Sequence, residues 1–429
     1  MWQRQFNSNF PLVLKVPVDN CQTFTILVIV ATGSKFETAP ERGVSHFLEH
    51  MFFKGTTRRP TTLAISSELD AIGGEYNAFT SKESTAFYVK CAANQAEVAF
   101  NVLSDMLLNS LFAAEEIEKE RGVIIEEINM YEDNPLMHLD DVFERVFYGD
   151  TPAGWDTAGS KETVGSLQRE DLINYWQSHY GHSRVIICLA GNLSRDLDNL
   201  VNKYFSHWPT FLNFKDKLPI IDTQVKPQLL IEDKATDQLH LALGVKAFPY
   251  GYKEEVPTKL LAAILGGTMS SRLFLEIRER RGLAYYVRTN AEAYTDSGYL
   301  VTKAGIKKDS LPIVVTMILQ EYKRLATELV EENELERVKK FLAGRLILEL
   351  EGSDDLARWY GYQEALWLGQ GNNQASLDTP QQYLAKLNSI TSAEIQAAAK
   401  QIFVNKGLNL AIIGPVDDQD QLISLLTLD

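Results

Sequence analysis

The chain has 429 residues, enough for two to four domains and a sizeable core. Its 45% hydrophobic and 23% charged content, with 20 Phe, 17 Tyr and 6 Trp, excludes disorder as the main state. The net charge of -15 argues against non-specific nucleic-acid binding. The most apolar run, residues 25–31, is far short of the ~20 residues of a membrane span. The N-terminus lacks a signal-peptide pattern, so the expectation is a cytoplasmic protein without membrane association. Three scattered cysteines, Cys21, Cys91 and Cys188, suggest neither a disulfide framework nor a cysteine-rich zinc site.

In chain order, an apolar strand is expected over 23–31, a helix over 43–53, and a second helix over 63–72 that stops at Gly73-Gly74. A strand over 84–91 and a long helix over 94–109 follow. An acidic helix over 115–133 then carries eight acidic and two basic residues. Residues 171–191 read as an amphipathic helix, a turn and a buried strand ending at glycine. Residues 394–414 repeat that series without a gap at an offset of 223. Weaker echoes pair 116–127 with the helix from Glu334 at an offset of 218, and 44–53 with 257–265 at about 213. The chain is therefore expected to be α+β, with two homologous domains from an internal duplication. Each is a mainly antiparallel sheet with helices on one face. The domains are drawn at 1–207 and 229–429, with a proline-containing linker at 208–228.

The sharpest motif is His46-Phe-Leu-Glu49-His50. On a helix, positions i, i+3 and i+4 share a face, so the two imidazoles can grip one Zn²⁺. Glu49 lies between them, placed to take a proton from a zinc-bound water, in the order of the inverted zincins. A catalytic zinc needs a third protein ligand, and the acidic helix offers Glu116, Glu120 and Glu127 along one face. Val123 on that face suggests partial burial. A solvated acidic face is the competing reading.

The pair of elements, with 76 residues between His50 and Glu127, resembles the pitrilysin (insulinase) family of zinc peptidases. It is most similar to the short-chain branch, with the mitochondrial processing peptidase catalytic subunit and its bacterial homologues. The resemblance implies that His46, His50 and Glu127 are the zinc ligands, one Zn²⁺ per chain. It makes Glu49 the general base and Glu120 a second carboxylate assisting catalysis. The strand approached through Gly73-Gly74 reads as an edge able to pair with an extended peptide. There the resemblance implies substrate contacts from Asn77, Ala78 and Phe79. Arg278 and Tyr285 match a pair that, in the family, reaches the substrate and the developing oxyanion. Tyr286 follows directly, so Tyr285 rests on spacing.

In the second half, Lys259, Ala262, Ala263 and Arg345 stand where the ligands would recur, so that half is expected to be metal-free. The resemblance also implies a dimer enclosing a chamber, with the zinc half of one subunit facing the Arg–Tyr half of the other. Because this chain carries both elements, a homodimer acting on peptides or unfolded segments is expected. A heterodimer with a related subunit is the variant of that expectation. The alternative function is a non-catalytic structural or assembly subunit of the same fold.

Overall fold

The computed structural model describes residues 2–7, 10–211, 214–372 and 374–428. The strands are β1 (Gln3–Asn7), β2 (Phe10–Pro17), β3 (Thr23–Val30), β4 (Glu75–Thr80), β5 (Thr85–Ala92), β6 (Val185–Gly191), β7 (Gln228–Glu232), β8 (Leu239–Ala247), β9 (Ala284–Ala293), β10 (Gly298–Ile306) and β11 (Asn409–Ile413). The helices of the first half are α1 (Val44–Met51), α2 (Thr62–Asp70), α3 (Ala96–Asn109), α4 (Ala114–Asp133), α5 (Pro135–Tyr148), α6 (Lys161–Ser166), α7 (Arg169–His179) and α8 (Leu197–Phe205). Those of the second half are α9 (Glu255–Gly266), α10 (Leu311–Thr327), α11 (Glu332–Glu349), α12 (Ser353–Gly369), α13 (Pro380–Ser389), α14 (Ser392–Ile402) and α15 (Gln419–Leu425).

The α+β class holds, and the duplication is visible in the topology. One sheet runs β1-β2-β6-β3-β5-β4 and the other β7-β11-β8-β10-β9. Removing β1 leaves the same order in both. In each sheet one parallel pair, β2–β6 or β7–β11, sits among antiparallel ones. The repeat at offset 223 corresponds to α7–β6 and α14–β11, and the glycines that end it, Gly191 and Gly414, both have positive φ.

Two compact units emerge, and they differ from the expected linear division. The first comprises 1–130, 155–218 and 347–378, and the second 131–154, 219–346 and 379–429. Each half of the sequence therefore lends one helix to the other unit. In the first unit, α12 lies on the sheet face opposite α1 and α3. Ile26, Val28 and Val30 point into the core with Phe47, Leu48 and Phe100. Leu27, Ile29 and Ala31 point into a second core with Ala357 and Tyr360. In the second unit α5 plays the matching part, with Val142, Phe143 and Phe147 packed on Ala242, Val301 and Ala411. Both faces are covered, which is the physical reason these strands read as unbroken apolar runs rather than alternating ones. The expectation of helices on one face was incomplete for that reason.

No regular element occupies the described part of 208–227, although its first portion is fixed to the first unit. The Trp208 indole N–H donates to the Tyr180 carbonyl at 2.7 Å, the Arg184 guanidinium stacks 3.4 Å from the Phe214 ring, and Lys217 reaches buried Glu83 at 2.7 Å. Residues 212 and 213 of the expected linker lie outside the described residues. Among the described residues, no helix is long and apolar enough to cross a membrane.

Candidate metal centre

Helix α1 is short, and its start is fixed from outside. Gly43 adopts φ +87, and a Cβ there would lie 2.5 Å from the Ala158 carbonyl oxygen. The buried Glu37 carboxylate accepts the otherwise unpartnered N–H groups of Gly43 at 2.8 Å and Ser45 at 2.9 Å. Burial pushes the Glu37 carboxyl up to about 8, against the pull of those N–H groups. The Ser45 hydroxyl donates to Tyr175 at 2.9 Å. Val44, Phe47, Leu48 and Met51 anchor the helix in the core. The opposite side presents His46, Glu49 and His50, all half-buried.

His46, His50 and Glu127 each offer one ligand atom, and all three lie within 4.8 Å of one another. His46 Nε2 is 3.2 Å from His50 Nε2, and Glu127 Oε2 is 3.8 Å and 3.6 Å from them. At zinc–ligand distances of about 2.0–2.1 Å, tetrahedral ligands sit about 3.3–3.4 Å apart, so this triangle fits zinc with only small adjustment. The donor set of two imidazoles and one carboxylate also suits zinc. Burial, and then the neighbouring His50, push the His46 imidazole down to about 3, leaving it neutral and able to ligate at neutral pH.

Around this triangle the carboxylates divide. Glu120, 5% exposed, takes His50 Nδ1 at 2.8 Å and Lys54 Nζ at 2.5 Å. Burial opposes its ionisation, but the hydrogen bonds from His50 and Lys54 outweigh that and hold its pKa below the usual range. The Glu49 Oε2 accepts the Thr80 hydroxyl at 2.6 Å. Burial pushes the Glu49 carboxyl upward, opposed by the Thr80 hydrogen bond and by His50 and reinforced by Glu127. Glu116, the remaining candidate from the acidic face, instead pairs with Lys119 at 2.6 Å. Val123 itself is 52% exposed, yet the face is partly buried as expected, with Glu120 5% exposed and Glu127 half-buried.

Thr80 ends β4, which forms the edge of the first sheet beyond β5. Asn77 is exposed there, with its Oδ1 accepting the Ala78 N–H at 2.9 Å, while Ala78 is buried. The Phe79 ring stacks on Tyr362 with centroids 5.6 Å apart. In the second unit, Arg278 lies in a π-helical turn, Phe274–Glu279, and Tyr285 sits near the start of edge strand β9. The Arg278 guanidinium is 5.8 Å from the Tyr285 ring, and Tyr285 is 73% exposed. Tyr286 is turned away, its hydroxyl 3.1 Å from His240 Nδ1. Lys259, Ala262 and Ala263 lie on α9, where Lys259 pairs with Glu255 at 2.8 Å. Among the described residues, His46, His50 and Glu127 form the one cluster suited to a metal.

Sequence reasoning missed Lys54 and Thr80. Lys54 was within reach of the same rule that found the motif, since it stands one further i+4 step beyond His46 and His50. Thr80 carried no signal of its own, because only the pairing of β4 with β5 sets its position.

The chain is similar to known proteins. The family model "Insulinase (Peptidase family M16)" matches residues 16–161, and "Peptidase M16 inactive domain" matches 166–342. A Bacillus subtilis protein named uncharacterized zinc protease YmxG is 35% identical, over 92% of this chain and 93% of its own length. A Rickettsia felis protein named uncharacterized zinc protease is 34% identical, over 94% and 95%. This chain belongs to peptidase family M16, the insulinase family. In fold it is similar to a Helicobacter pylori protease, with TM-score 0.87 at 20% identity, covering 97% of this chain and 100% of that one. It is likewise similar to a Pseudomonas fluorescens structure titled as an M16 inactive domain, with TM-score 0.84 at 18% identity, covering 98% and 99%.

Proposed function

We propose that the chain is a zinc-dependent endopeptidase acting on peptides or unfolded segments. The observation that carries this reading is the convergence of His46 Nε2, His50 Nε2 and Glu127 Oε2 beside Glu49 of the same helix. The names of its relatives as zinc proteases support it. Zinc, when held by these three side chains, supplies Lewis acidity that polarises a carbonyl and acidifies water near neutral pH.

The chain's own groups supply the rest. The Glu49 carboxylate is the general base, taking a proton from water and returning it to the leaving amine. Its raised affinity for a proton suits that double duty, and the Thr80 hydroxyl holds one of its oxygens in place. Glu120 accepts from His50 Nδ1, which leaves Nε2 with its lone pair free for the metal. The edge of β4 binds an extended peptide through main-chain hydrogen bonds, with Asn77, Ala78 and Phe79 against it. Arg278 and Tyr285 donate to the substrate and to the charge developing on the carbonyl oxygen. The reading further holds one zinc per chain, a homodimer as the working assembly and a cytoplasmic location.

The test is peptide cleavage by the wild type, by the wild type with a chelator, and by Glu49→Gln. Chelator-sensitive cleavage that Glu49→Gln loses by about 10²–10⁴-fold in kcat, with zinc retained, is expected. Undiminished cleavage by Glu49→Gln would overturn the mechanism. A protein that binds zinc yet cleaves nothing would favour the non-catalytic assembly subunit.

A further inference from the structure

We infer that Lys54 is a positioning residue of the metal centre, acting through Glu120 on the orientation and tautomer of His50. This rests on the proposed zinc site. Lys54 follows His50 by four residues, and its backbone N–H bonds the Met51 carbonyl at 3.1 Å as the chain leaves α1. From this turn beyond the end of α1 its side chain reaches the same carboxylate that His50 meets.

The contacts form a directed series. Lys54 Nζ reaches Glu120 Oε2 at 2.5 Å, and Glu120 Oε1 meets His50 Nδ1 at 2.8 Å. His50 Nε2 then faces His46 Nε2 at 3.2 Å and Glu127 Oε2 at 3.6 Å. Each Glu120 oxygen has its own cationic or imidazole partner, so the carboxylate is held at both ends. An ionised carboxylate can only accept, so the facing Nδ1 must carry the proton. The other ring nitrogen then points its lone pair at the metal position. Without the ammonium, Oε2 is left buried with no cation beside it. The carboxylate is then free to turn, and its grip on the imidazole slackens. A plain ion pair between the turn after α1 and α4 would contribute to stability only; a positioning residue changes the metal affinity.

The experiment measures zinc affinity by competition with a chromophoric chelator on the full-length wild type, Lys54→Met, Lys54→Arg, Glu120→Gln and the double variant Lys54→Met/Glu120→Gln. Urea unfolding of each metal-free protein runs alongside. Lys54→Met should weaken zinc binding by about 10–100-fold, as loss of a partner behind a ligand does. Lys54→Arg should recover most of the affinity. The double variant should lose little beyond Glu120→Gln alone, because both changes cut the same series. Nitrogen-15 spectra of the metal-free wild type should show His50 protonated at Nδ1, with mixed tautomers in Lys54→Met. Should Lys54→Met fold poorly, Lys54→Gln, which keeps stem length and polarity, carries the same comparison. A Lys54→Met protein that binds zinc within about two-fold of the wild type, or a double variant whose losses simply add, overturns the inference and leaves the site intact. A wild type that takes up no zinc overturns the metal centre itself and this inference with it.

Discussion

At the scale of single residues, neutral imidazoles carry much of the behaviour. His179 is buried, stacks on Tyr175 at 4.1 Å and donates from Nδ1 to the Tyr175 carbonyl at 3.1 Å. Burial pushes its imidazole down to about 4. The unfolded chain protonates this histidine near 6.5, so below that pH the unfolded state binds more protons than the folded one. Its contribution is complete above about pH 6.5 and is lost as the pH falls toward 4, on the order of 3 kcal/mol in all. Urea denaturation at pH 7 and pH 4.5 should show that loss, and His179→Leu should flatten the slope. A slope unchanged by the substitution would assign the acid sensitivity to other groups. The His46, Glu49 and His50 group was legible in the sequence because one helical turn brings the three together, whereas Glu127 comes from α4 and was singled out only through the family resemblance. Glu37 was not legible, because a carboxylate several residues before a helix becomes a cap only through the path of the intervening chain. Val123 was the wrong sign of a correct expectation: it is exposed, and the helix is buried through Ile117, Glu120, Ile124 and Ile128 instead.

Among the elements, the exchanged helices hold the most unused information. Gly361 brings α12 close to β3 and β6, and a Cβ there would lie 2.7 Å from Ile29 Cδ1 and 3.5 Å from Cys188 Cβ. Gly361→Val should destabilise the protein by about 1–3 kcal/mol through overpacking, read as a lower urea midpoint. In the second unit the corresponding helix is anchored by a large side chain instead, Phe143 against Gly244. Phe143→Ala should cost about 3–5 kcal/mol. A midpoint unchanged in either variant would mean that the helix does not pack on its sheet. The duplication was legible in the α7–β6 and α14–β11 match, yet the exchange was not. An amphipathic stripe declares that a helix is buried on one side, but not which sheet buries it. The unbroken apolar pattern of β3 and β6 did hold the clue, since both of their faces need covering.

At the scale of the whole molecule, a duplicated fold carries, among the described residues, one cluster suited to a metal. The second half keeps the strand order of the first but has Lys259, Ala262 and Ala263 on the helix that would repeat the motif. Light scattering on the purified protein should return the mass of two identical chains, and an active monomer would contradict the proposed assembly. The most direct measurement is the zinc content per chain of the purified full-length protein, compared with His46→Ala and Glu127→Ala. The account predicts one zinc per chain in the wild type and none held tightly in either variant. An equal zinc content in all three proteins, or no zinc in the wild type, would contradict it.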